Sequence, residues 1–293
     1  MKLWILSHLQ GSPGNRLAVE AAAARGHDVT LVNPLRVHLV PVPGAGAPGL
    51  RGPDLGSGRP DAVLTRMGSS APPEAVHVLE WLETTGVPCR NRSAAIRRTR
   101  DKTTQTLALG AAGLPLPPTA LVAAEAPLEP VMEALPGPPW IVKLPVSTQG
   151  SGVVLVESRR SLRSVCDTLH ATGQRVLVQG FIEEAAGADV RVLVIDGVAR
   201  AAMRRRGRED EFRSNLHRGG TAEPVALTPA LEDVAVRAAQ ALDLHIAGVD
   251  LLESRDGPLI VEVNGSPGLE GLSGATGRDL AGEVIAFVEG LVR

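Results

Sequence analysis

Three oxygen-bearing side chains near the end of the chain have the types and spacing of a divalent-cation site. Residues 248–250 and 261–264 each predict a β-strand, and side-chain alternation puts Glu262 and Asn264 on one face. A register that pairs Asp250 with Glu262 brings two carboxylates to cross-strand distance, whereas a one-residue slip separates them. Like charges that close destabilise the fold unless a cation lies between them, and Mg2+ prefers such oxygen ligands. The pattern predicts a metal site at Asp250, Glu262 and Asn264, with a polar surface strand as the alternative.

Lysine is scarce in the chain, and two of the lysines lie beside signals for phosphate binding. Of the 30 basic residues, only Lys2, Lys102 and Lys143 are lysines. Where arginine supplies most of the positive charge, a retained lysine indicates a place that needs a compact ammonium group. Lys143 lies near the end of a predicted strand, and Gly150 and Gly152 follow in a loop whose backbone N–H groups could close over phosphates. The alternative is that this loop is simply a turn.

Other segments carry polar groups that suit a nucleotide. Residues 179–182 end a strand and could supply the backbone donor and acceptor that read an adenine edge. Asp189 could bind ribose or a phosphate-bound metal ion, although a carboxylate that starts a strand is an equally good account. In a later polar stretch, Arg213 could hold a phosphoryl group through two hydrogen bonds, and Asn215 could add an amide. His217 could donate to an oxyanion, or it could be structural.

The elements that must position these groups begin with an N-terminal α/β unit. A strand, a helix and a second strand predict the start of a parallel sheet, and the turn after the first strand lacks the glycine spacing of a dinucleotide site. We expect this unit to end near residue 95. Its predicted strands are 2–7, 28–32 and 62–65, its helices are 15–25 and 74–85, and residues 41–60 predict a Pro- and Gly-rich loop.

The remainder predicts a second region of mixed strands and helices. One charged helix is predicted over 91–113, and strands 140–144 and 153–156 are expected to pair in antiparallel fashion. Asp196-Gly197 is a strong signal for a two-residue hairpin turn. The other predicted strands are 175–179, 189–195, 198–204 and those around 249 and 261, and the other helices are 160–172, 231–242 and 280–292.

Composition narrows the class of protein. The chain has 293 residues, 44% hydrophobic and 21% charged, which predicts a globular protein of two domains, or one α/β domain with an insertion. No apolar run reaches the length of a membrane span, and Cys89 and Cys166 are too few for a disulfide framework, so we expect a cytoplasmic protein with no membrane partner. The net charge of −2 and the absence of aromatic residues within the arginine run at 204–208 predict no nucleic-acid partner. That run is expected to be a solvated hairpin end or a collar for an acidic substrate.

The longer motifs make a family recognisable. RSNLHRGG at 213–220, AGVD at 247–250 and EVNGSPGLEG at 262–271 closely resemble the ATP-grasp ligases of the RimK type. The resemblance also includes residues 1–7, 65–68, 100–102 and 143–152. It implies an α/β (α+β) protein of the ATP-grasp fold, in which ATP lies between the last two of three parts. Those parts are an N-terminal parallel-sheet domain at 1–95, a central lid at 96–175, and a C-terminal subdomain with the metal site at 176–293.

The same resemblance implies roles for individual residues. Asp250, Glu262 and Asn264 would hold two Mg2+ or Mn2+ ions, and Arg213, Asn215 and Lys143 would act in catalysis. The family's adenine hinge often has an acidic residue followed by tyrosine, where this chain has Gly180-Phe181, and Arg204 stands where a carboxylate is common. ATP would be bound by Lys102, Lys143, Gly150, Gly152, Gly180, Phe181, Asp189, Arg213, Ser214 and Asn215.

The implied reaction is ATP-dependent amide formation through an acyl phosphate. The leading hypothesis is addition of L-glutamate to the C-terminus of a peptide or protein, which in the type enzyme is the sixth protein of the small ribosomal subunit. Arg66, Arg204 and Arg218 suit such acidic substrates. Alternatives are a ligase for a small acid or an amino-acid carrier protein, and a non-catalytic module that binds nucleotides or nucleic acid. We also expect a homo-oligomer, either a dimer or a tetramer.

Overall fold

The computed structural model of the chain describes residues 1–40, 49–55, 58–147, 151–185, 187–208 and 219–292. Within these ranges, the strands form a parallel N-terminal sheet, an antiparallel central sheet, an antiparallel C-terminal sheet and a two-stranded pair. The predicted α/β class and the N-terminal parallel sheet are confirmed. Among the residues that the structure describes, no helix is long and apolar enough to cross a lipid bilayer.

The N-terminal sheet is built from short apolar strands that helices connect. Its elements are β1 (Lys2–Leu6), α1 (Pro13–Ala24), β2 (Asp28–Val32), β5 (Ala62–Thr65), α2 (Ala75–Thr84) and β6 (Cys89–Arg90), and the separate pair is β3 (His38–Leu39) and β4 (Leu50–Arg51). In space the strands of the sheet follow the order β2-β1-β5-β6, all parallel. The chain therefore leaves β1 towards one edge and β5 towards the other, so the connections change direction between these two strands.

The central sheet is antiparallel and is covered on one side by helices. It has the order β7-β10-β8-β9, in which β10 pairs with both β7 and β8. Buried Trp140, Leu162 and Val178 belong to its core. The elements of this region are α3 (Ser93–Arg100), α4 (Lys102–Ala111), β7 (Thr119–Val122), α5 (Glu129–Ala134), β8 (Trp140–Lys143), β9 (Val153–Val156), α6 (Arg159–Ala171) and β10 (Val176–Gly180).

The single helix predicted over 91–113 is wrong at one position. Asp101 has extended backbone angles and separates α3 from α4. Its carboxylate caps α4 by accepting from the backbone N–H groups of Thr103 (2.7 Å) and Thr104 (3.3 Å). Aspartate stabilises a helix N-terminus in this way, so the break places Lys102 in the first turn of a new helix.

The C-terminal sheet carries the predicted hairpins. Its order is β13-β12-β11-β14-β15, all antiparallel, and the predicted turn at Asp196-Gly197 is confirmed, with both residues at positive φ. The elements are β11 (Ala188–Ile195), β12 (Val198–Arg206), β13 (Thr221–Val225), α7 (Pro229–Ala241), β14 (Ile246–Ser254), β15 (Gly257–Asn264), α8 (Glu270–Thr276) and α9 (Leu280–Glu289).

The two larger hydrophobic cores lie on opposite faces of the C-terminal sheet. On one face, Val192 and Val249 pack with α7. On the other face, Leu193 and Ile246 share a core with α8, α9 and the N-terminal sheet, including Leu3. The N-terminal and C-terminal sheets are therefore joined through one common core rather than through a flexible linker.

The three-part division of the chain stays a proposal, and strand pairing refines it. The boundary predicted after residue 175 falls just before β10, which hydrogen-bonds to β7 and β8 of the central sheet. Cutting the chain there would separate β10 from its own sheet. We therefore propose that the central part extends through Gly180.

A fully buried asparagine fastens the N-terminal sheet to the C-terminal sheet. Asn91 follows β6, and its Nδ2 donates to the carbonyl oxygens of Ile246 (2.6 Å) and Gly265 (2.8 Å). Its Oδ1 accepts from the backbone N–H groups of His245 (2.8 Å) and Ile246 (2.9 Å). One side-chain amide thus satisfies backbone groups at the start of β14 and just after β15, which fixes the end of the hairpin that carries Asp250.

We predict that Asn91→Ala lowers the free energy of unfolding by about 3–5 kcal/mol, because it leaves several buried backbone groups without partners. Chemical denaturation of the wild type and the variant measures this difference. The matched control is Asn33→Ala, since Asn33 caps an exposed turn by accepting from the N–H of Leu35, and it should cost only about 1 kcal/mol or less. Equal losses in the two variants would contradict the role of Asn91.

Candidate active site

One face of the C-terminal sheet changes from apolar to charged along its strands. Leu193 and Ile246 belong to the core shared with α8 and α9, and on the same face the next positions towards the other end of the strands are Arg191, Gly248 and Asp250. This follows from the period of two along a strand. The charged groups therefore lie on the same face as this packed core and directly follow it along the strands.

Gly248 lies where the apolar and charged parts of this face meet. A side-chain Cβ at Gly248 would lie 2.7 Å from Cβ of Pro267, which is too close for two carbon atoms. Glycine is required so that the segment after β15 can cross the sheet at this point. The crossing brings the carbonyl oxygen of Pro267 to Arg66 of the N-terminal domain, at 2.7 Å from Nη1.

Asp250 is buried and is held by two arginines. Arg191 binds it through two hydrogen bonds of 2.6 Å, from Nε to Oδ1 and from Nη2 to Oδ2. Arg205 Nη2 lies 3.0 Å from Asp250 Oδ2. Burial opposes ionisation of Asp250, but the charges and hydrogen bonds of the two arginines outweigh burial and hold its pKa below the usual value. Asp250 is therefore a carboxylate at neutral pH.

A second carboxylate fixes Arg205 in place. Asp189 lies opposite Arg205 in the β11–β12 pair and accepts two hydrogen bonds from it, of 2.7 and 2.5 Å. Burial works against the charge of Arg205, but Asp250 and Asp189 together raise its pKa. The four side chains form the alternating row Asp189, Arg205, Asp250 and Arg191. Sequence reasoning missed Arg191 and the buried position of Arg205. Arg191 could have been found from its spacing, because it lies two residues after Asp189 on a predicted strand and therefore on the same face.

The register of the β14–β15 hairpin brings the predicted metal ligands to one place. Asp250 lies opposite Glu262, and Gly248 lies opposite Asn264, which confirms the pairing that the sequence required. Asn264 Nδ2 lies 3.4 Å from Asp250 Oδ2. The register shifts by one residue after Asp250, so Val261 is the extra residue of a β-bulge. Without that bulge, Asp250 would face Val261 rather than Glu262.

Glu262 is neutralised by a lysine of the first turn of α4. Lys102 Nζ lies 3.3 Å from Glu262 Oε1 and also donates to the carbonyl oxygen of Ser147 at 3.1 Å. The backbone N–H of Lys102 donates to Pro145 at 2.8 Å. Buried Gln105 further docks α4 onto β15 by accepting from the N–H of Val263 at 2.9 Å. Lys102 therefore connects the central sheet with the carboxylates of the C-terminal sheet.

The donor set of this site fits a hard divalent cation. Within the described ranges, no three His, Cys, Asp or Glu side chains form a group that could hold a metal ion by themselves. Asp250, Glu262 and Asn264 instead offer two carboxylates and one amide oxygen, which suit Mg2+ or Mn2+. Oδ1 of Asp250 accepts from one arginine nitrogen and keeps a second lone pair, whereas Oδ2 is contacted by both arginines. These residues could therefore hold a metal ion together with phosphate oxygens.

Lys143 is buried beside the same cleft. Its Nζ donates to Gln179 Oε1 at 2.6 Å, and Gln179 in turn donates to Thr119 Oγ1 at 2.9 Å. Burial lowers the pKa of Lys143 to about 8, with Glu262 opposing that shift and Lys102 adding to it. Residues of α4, the central sheet and β15 line one cavity here, including Lys102, Gln179 and Ile260. An ammonium group in this position is partly desolvated and would bind an anion strongly.

The strand end predicted to read adenine has its first amide hydrogens already in use. The N–H of Gly180 donates to the carbonyl of Pro118 at 2.8 Å, and that of Phe181 donates to Pro139 at 3.3 Å. Among the described residues, the N–H of Ile182 has no such backbone partner. A ligand edge at this strand end would therefore find its donor at Ile182 rather than at Gly180 or Phe181.

The structure covers part of the predicted glycine loop. Gly152 lies at its base with φ of +69°, and a Cβ there would lie 2.9 Å from Leu144 Cδ1, so glycine is required for both reasons. The remaining candidates, Gly150, Arg213, Ser214, Asn215, His217 and Arg218, lie outside the described residues.

The arginine run at 204–208 is not uniformly solvated, which corrects the expectation for it. Arg205 is buried in the charged row, whereas Arg204 lies on the opposite face of the sheet. There Arg204 Nη2 lies 2.8 Å from Glu253, and its Nη1 lies 3.3 Å from Glu223. Arg204 is thus neutralised away from Asp250, and its position does not support a role in binding an acidic substrate.

Comparison with known proteins matches two consecutive parts of the chain, which together make up nearly its whole length, to related families. Residues 1–96 match the RimK PreATP-grasp domain, and residues 99–288 match the RimK-like ATP-grasp domain. The chain is 42% identical over 289 residues to a probable alpha-L-glutamate ligase of Thioalkalivibrio sulfidiphilus. It is 43% identical over the same length to one of Pseudoalteromonas translucida. Both alignments cover 99% of this chain and 95% of the relative.

Solved structures show the same fold. A RimK domain ATP-grasp protein from Sphaerobacter thermophilus has a TM-score of 0.74 and 27% identity, covering 98% of this chain and 99% of that chain. The ATP-grasp ligase PsnB in complex with a minimal precursor, Mg and ADP has a TM-score of 0.76 and 21% identity, covering 99% and 97%. D-alanine–D-alanine ligase from Bacillus anthracis has a TM-score of 0.69 and 14% identity, covering 100% and 97%. The last two show likeness of fold alone, and the predicted ATP-grasp fold is confirmed.

We predict that Lys143→Met weakens ATP binding about 10- to 100-fold, because it removes a charged, partly desolvated donor from the cleft. In the wild type, the dissociation constant for ATP should rise about fivefold between pH 8 and pH 9. The reason is that free Lys143, with a pKa of about 8, loses its proton over that range. Calorimetric titration with ATP at several pH values measures both effects.

The variant Lys143→Met should lose this pH dependence. The matched control Lys2→Met changes the exposed first residue of the otherwise buried strand β1, and it should keep wild-type affinity and wild-type pH dependence. ATP affinity in Lys143→Met equal to that of the wild type would contradict the placement of phosphates at Lys143.

Proposed function

The chain belongs to the RimK-like ATP-grasp family of ligases, and we propose that it uses ATP to join L-glutamate to the carboxyl terminus of a peptide or protein. The enzyme is thus an ATP-dependent ligase, and its specific substrates are the proposal. The observation that carries the chemistry is the convergence of Asp250, Glu262 and Asn264 with two lysines at one cleft. The choice of glutamate is supported by the relatives that bear this name at 42–43% identity.

The proposed reaction has two covalent steps. A carboxylate oxygen of the acceptor attacks the γ-phosphorus of ATP, the bond from the γ-phosphorus to the β,γ-bridging oxygen breaks, and ADP leaves as an acyl phosphate forms. The amino group of glutamate then attacks the acyl carbon, inorganic phosphate leaves with the bonding electron pair, and the amine loses a proton to phosphate or water. The product is an amide, and one ATP is converted to ADP and phosphate.

The lysines are proposed to bind the phosphates of ATP. Lys102 lies between Ser147 of the central sheet and Glu262 of the C-terminal sheet, so it can contact a phosphate chain that spans the two. Lys143 is oriented by its hydrogen bond to Gln179, which lines the same cavity as Lys102. Fixed positive groups of this kind stabilise the negative charge that develops as phosphoryl transfer proceeds.

Metal binding is proposed at Asp250, Glu262 and Asn264, for two Mg2+ or Mn2+ ions. Divalent ions bound there would offset the negative charge of the phosphate oxygens and orient the γ-phosphate for in-line attack. The chain holds the ligands still, because Arg191 and Arg205 fix Asp250 and the β-bulge at Val261 fixes Glu262 opposite it.

The proposed nucleotide site extends to two further regions. Adenine would lie at Gly180 and Phe181, with the N–H of Ile182 as donor, and Asp189 would lie towards ribose or the metal-bound phosphates while holding Arg205. The resemblance of motifs supports keeping Gly150, Arg213, Ser214 and Asn215 as ATP-binding residues, with Arg213, Asn215 and Lys143 in catalysis.

The proposed setting is a homo-oligomer in the cytoplasm. Cys89 and Cys166 are both buried and unpaired, which is usual for proteins of a reducing compartment. The oligomeric state rests on the family resemblance. A peptide or protein acceptor is supported by the solved structure of PsnB with a precursor, which has the same fold.

The proposal is tested by incubating the enzyme with ATP, Mg2+, L-glutamate and a panel of peptides that end in free carboxylates. We expect ADP and phosphate to form only when an acceptor is present, and mass spectrometry to show peptides extended by whole glutamyl residues. Turnover with other amino acids but not with glutamate would contradict the choice of glutamate. Failure to turn over any carboxylate would contradict the ligase assignment of this site.

Asp250→Asn should reduce that turnover at least about 100-fold, since it removes a metal-binding carboxylate and the counter-charge of two arginines. The matched control is Asp256→Asn, in the exposed turn of the same hairpin, which should retain wild-type turnover. Retained activity in Asp250→Asn would contradict the metal assignment.

A further inference from the structure

A group of buried cationic and polar side chains lies at the carboxyl ends of β1 and β5. These are the strands between which the connections of the N-terminal sheet change direction. In open α/β sheets, ligands bind in the crevice outside the carboxyl ends of the strands at such a point. Here the crevice is formed by residues 7–15, which follow β1, and residues 66–70, which follow β5. Neither segment belongs to the ATP site described above.

Arg66 is the central side chain of this crevice. Only 8% of its surface is exposed, and it donates to neutral acceptors, the carbonyl oxygen of Pro267 (2.7 Å) and Asn15 Oδ1 (3.4 Å). Within the described part of the chain, no carboxylate lies at ion-pair distance from Arg66. Burial lowers its pKa to about 10, so the group is still charged at neutral pH. A buried cation that has no counter-charge is costly, which indicates an anionic ligand.

The surroundings of Arg66 are shaped to hold its guanidinium. A Cβ at Gly14 would lie 2.7 Å from Arg66 Nη2, so the glycine makes room for it. Asn15, which accepts from Arg66, is itself fixed by donating to Ser7 Oγ at 2.8 Å and to the carbonyl oxygen of Leu9 at 2.6 Å. The orientation of Arg66 is therefore set by a network of neutral groups that leaves its charge uncompensated.

Two further groups in this crevice have hydrogen-bonding nitrogens without partners. His8, between Ser7 and Leu9, has a buried Nδ1 with no partner among the described residues, while its Nε2 lies 3.3 Å from Ser70 Oγ. Arg100 has a buried Nη1 that is likewise without a partner in the described ranges. Burial, and to a smaller extent the positive charge of Arg100, lower the pKa of His8.

The crevice adjoins the ATP site through two short segments. Pro267, which accepts from Arg66, follows Asn264 by three residues, and Arg100 precedes Lys102 by two residues. A ligand held here would therefore lie beside the proposed metal and phosphate site but on the N-terminal domain. A second substrate has to lie close to the proposed phosphate site in order to react with the γ-phosphate.

We propose that Arg66, His8 and Arg100 form a binding site for a carboxylate group of the ligase's non-nucleotide substrate. The inference rests on the proposed function and adds the location of that substrate. The carboxylate belongs either to the incoming acidic amino acid or to the acidic end of the acceptor. Both molecules present the same group, a carboxylate, to the arginines. The experiment separates these sources.

The test compares Arg66→Gln and Arg100→Gln with the wild type by calorimetric titration with L-glutamate and with a peptide that ends in glutamate, each in the presence of MgADP. We expect the variants to bind one of these two probes about 10- to 100-fold more weakly than the wild type. Weaker glutamate binding assigns the site to the incoming amino acid, and weaker peptide binding assigns it to the acceptor. Affinity for MgADP should stay within about twofold of wild type.

Arg97→Gln is the matched control, because Arg97 lies on the same helix as Arg100 and pairs with Glu80 on the exposed surface. It should bind both probes like the wild type. Arg100→Gln keeps the test decisive if Arg66→Gln does not fold, since Arg100 is only partly buried. Equal binding of both probes by the wild type and the variants would overturn the proposal, and so would failure of the wild type to bind either probe.

Failure of the proposed function is distinguishable from failure of this inference. If the wild type ligates glutamate while Arg100→Gln and Arg66→Gln have unchanged KM values for glutamate and acceptor, the function stands and the carboxylate site falls. If the wild type has no ligase turnover but the variants still weaken binding of a probe, the site stands and the reaction assigned to it falls.

Discussion

The structure of the site depends on the charge of one buried carboxylate. Asp250 would be destabilising on the inner face of the C-terminal sheet without compensation, because desolvation of an isolated charge costs several kcal/mol, about the size of a protein's net stability. Arg191 and Arg205 supply the compensation, and Asp189 in turn neutralises Arg205. Because the two arginines balance its charge, Asp250 stays ionised and fixed in place within the sheet. A metal ligand requires both properties. The same contacts oblige β11, β12 and β14 to keep one register.

The site lies where the N-terminal domain meets the C-terminal sheet, and both of these parts hold it. Asn91 binds backbone groups at the start of β14 and just after β15, and Gly248 lets Pro267 cross the sheet to reach Arg66. Core residues of the N-terminal sheet also pack with α8 and α9, next to the charged row on the same face of the C-terminal sheet. The proposed metal ligands, the proposed phosphate lysines and the proposed carboxylate site are thus parts of one continuous arrangement.

Sequence patterns predicted the parallel N-terminal sheet and the hairpins, because alternation and turn residues are local signals. They left two registers open for Asp250, one that pairs it with Glu262 and one that is shifted by one residue. They did not predict the two bulges on which the site depends. Counted back from the turns without bulges, Asp189 would face Arg204, and Asp250 would face Val261. In the observed register, Asp189 instead faces Arg205, and Asp250 faces Glu262. The break at Asp101 was missed because the helical periodicity continues on both sides of this capping residue. The role of Asn91 was missed because its side-chain amide makes hydrogen bonds to residues that are distant in the sequence.

Binding of Mn2+ in the presence of ADP, followed by water-proton relaxation, tests most directly whether this carboxylate hairpin binds metal and nucleotide together. The informative pair is Glu262→Gln, on the face that carries Asp250, and Glu253→Gln, on the opposite face of the same hairpin, where Glu253 pairs with Arg204. We expect Glu262→Gln to bind Mn2+ at least about tenfold more weakly than the wild type, and Glu253→Gln to bind it like the wild type. Unchanged Mn2+ binding in Glu262→Gln would contradict the assignment of the metal site to Asp250, Glu262 and Asn264.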